Sequence, residues 1–138
     1  MRRLSDIVFN QTPLVLRSSS TVKRACQQMR DRRTGSVLIV DKEGVLIGIF
    51  TGRDAVSRVL AEGRSATTRI AEVMTKDPIS MSPDLTTIDA LRLMWDHGFR
   101  HVPITRDGKV VGVVSRGDFK GLEQDRLEEE VNLWEHMR

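Results

Sequence analysis

The feature that most constrains this chain is that it repeats itself. The segment GIFTGRD, residues 48–54, returns as GVVSRGD, residues 112–118: a glycine, an apolar pair, a hydroxyl residue, two variable positions and an aspartate. Gly44 and Gly108, Gly48 and Gly112, Thr51 and Ser115, and Asp54 and Asp118 are each 64 positions apart. Further upstream, Pro13 and Pro78, Ala25 and Ala90, and Met29 and Met94 are 65 apart. The first copy therefore carries one extra residue between Met29 and Gly44, expected in the loop DRRTG where it faces DHGF. Two copies of this period are too few and too long for a solenoid, so a pseudo-twofold pair is expected rather than an array.

Each copy has one local grammar. A short extended piece follows a proline, PLVL or PISM, where the missing backbone donor suits a strand start. A helix comes next, with Val22, Ala25, Cys26 and Met29 in the first copy and Ile88, Leu91 and Trp95, widened by Ala90 and Met94, in the second. Both stripes have helical spacing and are expected in the core. Two extended runs then flank a tight turn, SVLIV and VLIGIF about DKEG, HVPI and VVGVV about RDGK. These runs barely alternate, which predicts strands covered on both faces. A second helix starts at the hydroxyl residue, and Gly63 is its expected C-terminal stop in the first copy. TTRIAEVMTKD reads as a short helical connector, and the N-terminal LSDIV echoes its IAEVM. The expected division is residues 1–68, residues 69–122 and a C-terminal helix over 123–138.

With 39% hydrophobic and 30% charged residues, 138 residues suffice for a packed α/β unit. The 22 basic and 19 acidic residues are interspersed, which gives little support to nucleic-acid binding. The single Cys26 excludes an intramolecular disulfide, and no apolar run has the length of a membrane span or a signal-peptide core. A cytoplasmic location is expected.

The repeated motif admits two readings. Thr51 with Asp54, and Ser115 with Asp118, come close to a capping box, in which the hydroxyl and the acid serve the first helical turn reciprocally. The same geometry puts free amides and a hydroxyl at a helix start, which suits phosphate, with a carboxylate that can accept two vicinal ribose hydroxyls. Gly48 and Gly112 would then let a ring approach the strand, although a strand glycine also marks bulges.

The ordered series TPLVL, ACQQM, GSVLIV, GVLIGIFTGRD and then DPISM, ALRLM, GFRHVPI, GKVVGVVSRGD resembles a tandem CBS domain pair, or Bateman module, over about Leu4 to Leu122. The resemblance implies an α/β (α+β) fold of two pseudo-twofold related βαββα repeats packed through their sheets. It implies a regulatory module, not an enzyme, that requires no cofactor and binds AMP, ADP, ATP or S-adenosylmethionine. It implies a homodimer, and a target protein that reads the ligand. Carried over by residue, Asp54 and Asp118 match ribose-binding aspartates, and Thr51 and Ser115 match hydroxyl residues beside them. Arg53 and Arg116 lie inside the motifs at different steps. Arg100 and His101 match a phosphate-directed basic pair. Pro13 and Leu14, with Pro78 and Ile79, match segments that line an adenine pocket. Ser36 and Val37 stand where the second copy has Arg100 and His101, so unequal sites are expected. The alternative is an interaction module whose motifs are only helix caps.

His97 and His101 have a metal-ligand spacing only if one helix carries both, and Gly98 argues against that. No nucleophile with a base, paired-carboxylate signature or phosphate-cradling glycine loop is present. In the tail, Leu127, Val131 and Trp134 form an apolar stripe expected to pack on its own domain or on a partner.

Overall fold

The structure, a computed structural model, describes residues 2–119. The expected C-terminal helix and the stripe of Leu127, Val131 and Trp134 lie outside the described residues. The chain divides into two compact units.

One unit comprises Thr12–Ile79 with Asp107–Val110. Its strand β1 (Val15–Leu16) pairs in parallel with β2 (Ser36–Val40), which pairs antiparallel with β3 (Leu46–Thr51). A further strand, β4 (Thr75–Lys76), closes the far edge against Gly48 and Ile49. Helix α2 (Val22–Arg32) is started by Thr21, whose hydroxyl accepts the Arg24 N–H at 3.1 Å. It stops at Arg33, which takes φ 53° and lets Thr34 N–H reach Met29 O at 3.0 Å. All five residues of β2 are buried, as its unbroken apolar run predicts. Leu14, Val22, Ala25, Met29, Val37, Ile39, Phe50, Val59, Ile70 and Val73 form the core.

Helix α3 (Gly52–Asp54) runs directly into a π-helical turn, Ala55–Leu60, in which Ala61 N–H reaches back five residues to Val56 O at 2.8 Å. Gly63, at φ 68°, ends it: Gly63 N–H bonds Leu60 O at 3.1 Å and Arg64 N–H bonds Val59 O at 2.9 Å. This pairing is that of a Schellman ending and agrees with the expected stop. The connector is only partly helical, a 3-10 turn over Ile70–Glu72 followed by β4.

The other unit comprises, among the described residues, 2–11, Ser80–Arg106 and 111–119. Its described elements are α1 (Leu4–Val8), α4 (Thr87–His97), and the two-stranded sheet of β5 (His101–Arg106) and β6 (Lys109–Ser115). The N-terminal residues 2–11 thus group with the described residues of the second repeat. Leu4 and Val8 are buried with Ile88, Ala90, Leu91, Met94, Val102, Ile104, Val114 and Phe119. Trp95 departs from the expected stripe and is 56% exposed, because Met94 and Leu91 already fill the buried face of α4. The PISM strand shrinks to one parallel bridge, Met81 to Ile104, with Met81 N–H on Pro103 O and Thr105 N–H on Met81 O, both 3.0 Å.

These pairings relocate the extra residue of the first copy. Leu16 pairs with Ile39 as Met81 does with Ile104, and the left-handed residues Arg33 and Gly98 end α2 and α4, all 65 apart. Gly44 and Gly108, both at positive φ, are 64 apart. The extra residue therefore sits in the hairpin turn after β2, where the register shifts between Ile39 and Val40, and not in the loop DRRTG. Asp41 organises this longer turn through Oδ1, which accepts Glu43 N–H at 2.8 Å and Val45 N–H at 3.0 Å. Those two amides hold its carboxyl below the ordinary aspartate range.

The two strand glycines have a packing reason. A Cβ on Gly112 would lie 2.6 Å from Val8 Cβ, and one on Gly48 would run into the thioether of Met74. In each unit the segment leading into a repeat crosses the sheet at the glycine. Close approach of protein accounts for both residues, and Gly48 also borders the register shift in the β2–β3 ladder.

Candidate functional site

In the first repeat β3 ends at Thr51, and the chain turns into α3. Thr51 N–H donates to Asp54 Oδ2 at 2.9 Å, and Asp54 N–H donates to Thr51 Oγ1 at 3.2 Å. The other carboxylate oxygen, Oδ1, faces Arg58 Nε at 3.6 Å, with the Asp54 side chain 14% exposed and that of Arg58 47% exposed. Arg58 Nη1 also donates to Val73 O at 3.2 Å, so the guanidinium is held at two points. Arg53 is exposed, and its carbonyl accepts the Ser57 hydroxyl at 2.9 Å.

In the second repeat β6 ends at Ser115 and feeds a 3-10 turn, Arg116–Asp118. Asp118 Oδ2 accepts both Ser115 N–H at 2.7 Å and Ser115 Oγ at 3.2 Å. Arg116 N–H donates to Arg100 O at 2.9 Å, which fixes the start of β5 beside the turn. Burial first, and then the positive charge of Arg100, push the His101 imidazole below its ordinary pKa, while Asp118 pulls the other way. The Arg116–Arg100 backbone bond thus brings the start of β5, with Arg100 and His101, to the turn that Ser115 and Asp118 cap.

The equivalent bond in the first repeat is Gly52 N–H to Gly35 O at 3.1 Å. It equates Arg100 with Gly35 and His101 with Ser36, which corrects the pairing with Ser36 and Val37 read at a constant offset of 64. The contrast in charge survives the correction. Ser36 is buried, and its hydroxyl lacks a hydrogen-bond partner.

The motif by itself does not mark a ligand site. Thr86 and Asp89, at the start of the core helix α4, make the same reciprocal pair, Thr86 N–H to Asp89 Oδ2 at 3.0 Å and Asp89 N–H to Thr86 Oγ1 at 3.2 Å. Capping accounts for all of these bonds. What distinguishes the two repeated turns is what stands beside the carboxylate: Arg58 in one, Arg100 and His101 in the other. Arg58 was not among the residues singled out by the sequence, because no motif spacing marks it; the signal for it is the i, i+4 relation to Asp54 on one helical face.

Pro13 and Leu14 lead into β1, where Leu14 is buried and its carbonyl accepts Leu38 N–H at 3.0 Å. Pro78 is half-buried and Ile79 exposed, in a stretch without regular structure. His97 ends α4 and stacks on Phe99 with ring centroids 5.2 Å apart, whereas His101 begins β5, so the two are not on one helix. Among the described residues no group of three or more His, Cys, Asp or Glu could hold a metal, and no helix is long and apolar enough to cross a membrane. An apolar groove of about 470 Å³ lies between α2 and the π-helical turn, lined by Val22, Cys26, Val59 and Leu60 among others, and it contains none of the expected site residues. Burial raises the pKa of the Cys26 thiol there.

The sequence model of the CBS domain matches residues 4–61 and again residues 70–123, the two copies of the repeat. The chain belongs to the CBS domain family. The CBS domain-containing protein YhcV of Bacillus subtilis is 33% identical over 118 residues, which is 86% of this chain and 83% of that protein. CBSCBSPB2 of Arabidopsis thaliana is 38% identical over 102 residues, but this chain, 73% covered, spans only 19% of its length. Among solved structures, the CBS domain pair of MJ0100 in complex with 5'-methylthioadenosine and S-adenosylmethionine is 26% identical, with a TM-score of 0.76, over 84% of this chain and 94% of that one. The tandem CBS arrangement read from the repeat thus stands.

Proposed function

We propose that this CBS pair is a non-catalytic sensor of adenosine-containing ligands, with AMP, ADP, ATP and S-adenosylmethionine as the candidates, whose occupancy is read by a second copy or a target protein. The observation that carries the reading is the cluster at the second turn. There a carboxylate suited to a ribose diol, Asp118, stands with a hydroxyl, Ser115, and with the guanidinium of Arg100 and the imidazole of His101, so that diol and phosphate chemistry meet in four residues. The bound adenosine compounds of the MJ0100 pair belong to a protein of the same fold and support the ligand class. Asp118 takes the ribose, Arg100 and His101 the phosphate, and Ser115 either. Thr51 and Asp54 play the corresponding parts in the first repeat with lower affinity, while Arg53 and Arg116 contribute peripheral charge. The backbones of Pro13, Leu14, Pro78 and Ile79 face the base.

The test is a thermal-shift titration with AMP, ADP, ATP, S-adenosylmethionine and a guanosine nucleotide as control. A ligand at about a hundred times its dissociation constant adds roughly 2.7 kcal/mol, which moves the midpoint of a chain of this size by several degrees. An adenosine-selective shift supports the sensor. The second reading, an interaction module without a nucleotide, is favoured by one observation, the identical bonds of Thr86 and Asp89, and a flat response to every ligand would select it.

A further inference from the structure

The π-helical turn after Asp54 gives the first repeat a feature that neither capping nor ribose binding requires. Its bond from Ala61 N–H to Val56 O spans five residues rather than four, and Arg58, four residues after Asp54 on the same face, lies alongside it. The side chain is not a free surface cation. It is fixed by the Val73 carbonyl at one nitrogen and faces Asp54 Oδ1 with another. Guanidinium carries five N–H donors, so others remain beyond these two, in a fork that matches phosphate. The position 64 residues on is Leu122, an uncharged residue. Arg100 and His101 of the second repeat likewise have no basic counterparts in the first, where Gly35 and Ser36 stand instead.

A ribose seeking Asp54 meets a carboxylate with both oxygens engaged, Oδ2 by Thr51 N–H and Oδ1 by Arg58. A neutral nucleoside that draws Oδ1 away from the guanidinium offers it no anion in return. A phosphorylated nucleoside does, and the charge-assisted bond it forms replaces the one it breaks. We infer that Arg58 is the selectivity residue of the first repeat, a guanidinium that screens Asp54 against neutral adenosine ligands and admits phosphorylated ones. The inference rests on the ligand-binding reading above and extends it to a residue outside the repeated motif.

The experiment is calorimetric titration with adenosine and with AMP of two proteins, Asp118→Ala, which leaves the first repeat as the site, and Asp118→Ala combined with Arg58→Met, beside the wild type. Arg58 is half exposed, so methionine keeps its aliphatic contacts, and the melting temperature of each variant verifies folding. The ratio of AMP to adenosine affinity is expected to fall by about tenfold on losing Arg58, the scale of one charge-assisted hydrogen bond, with adenosine itself gaining about two- to fivefold from release of a partly exposed ion pair. Arg58→Lys in the same background should keep part of the ratio. An unchanged ratio, or failure of the Arg58→Met variant to bind either compound while the wild type binds AMP, overturns the assignment of Arg58 and leaves the sensor reading standing. Absence of binding by the wild type itself overturns both.

Discussion

The turns at Thr51–Asp54 and Ser115–Asp118 share a motif, a strand before it and an aspartate whose Oδ2 takes the cap amide, yet they present different chemistry. The first aspartate is nearly covered and paired within its own helix by Arg58. The second is exposed, ends a three-residue turn, and shares its surroundings with Arg100 and His101. The duplication has kept the backbone device and changed the charges around it. A motif of this kind preserves the fold for reasons of capping, which leaves its neighbours free to set whether and what it binds.

The sharpest way to break that comparison is to remove each aspartate in turn. Asp118→Ala should weaken binding of a phosphorylated adenosine ligand by about a hundredfold, since two charge-assisted bonds to a diol are lost, while Asp54→Ala should change it by less than about tenfold. Calorimetric titration measures both, and the opposite order would reverse the assignment of the stronger site.

Next in size are the two strand glycines. Gly112→Ala puts a methyl group against the Cβ of Val8, which is tied to the helix backbone, and should cost about 2 kcal/mol in urea unfolding. Gly48→Ala meets the flexible end of Met74 and should cost about half as much or less. Equal costs would mean that the leading segments yield equally. Val8→Ala in the Gly112→Ala background should recover part of the loss.

A smaller effect separates cap from ligand site. Thr51→Ala and Thr86→Ala should each destabilise by about 1 kcal/mol, but only the former should alter ligand affinity at the first repeat.

The smallest effect is in pH. The folded pKa of His101 is lowered, so the unfolded chain binds the proton more readily. Its contribution to stability is present above the ordinary histidine value near 6.5 and is lost as pH falls toward the lowered value. Melting temperatures between pH 7.5 and 5.5 should fall less steeply in His101→Gln than in the wild type. Position 36 in the first repeat carries serine and has no such titration.

Much of the architecture was legible because the repeat made every element testable twice. The helices over residues 22–32 and 87–97, the two hairpins and the stop at Gly63 follow from apolar periodicity, turn residues and positive φ. What was hidden is what depends on contacts distant in sequence. An offset cannot say which of two loops holds an extra residue, and only strand pairing placed it after β2. A stripe at helical spacing cannot say how wide the buried face is, hence Trp95. At the candidate site the hydroxyl and acid pairs were visible as a spacing. Arg58 was not singled out, because its fixed position also depends on the Val73 carbonyl fifteen residues away.

The grouping of residues 2–11 with residues 80–106 and 111–119 also has a consequence for synthesis. Leu4 N–H bonds Leu85 O and Ser5 N–H bonds Pro83 O, each at 2.8 Å, and Gln11 Oε1 accepts Val113 N–H at 2.9 Å along the edge of β6. The first eleven residues leave the ribosome before any of these partners exist, so Leu4 and Val8 must wait through the whole of the first repeat before they are covered. A domain made N-terminus first closes its intervening half early and its outer half last. A premature stop within the second repeat would therefore leave Leu4 and Val8 uncovered while the first repeat already has its own core.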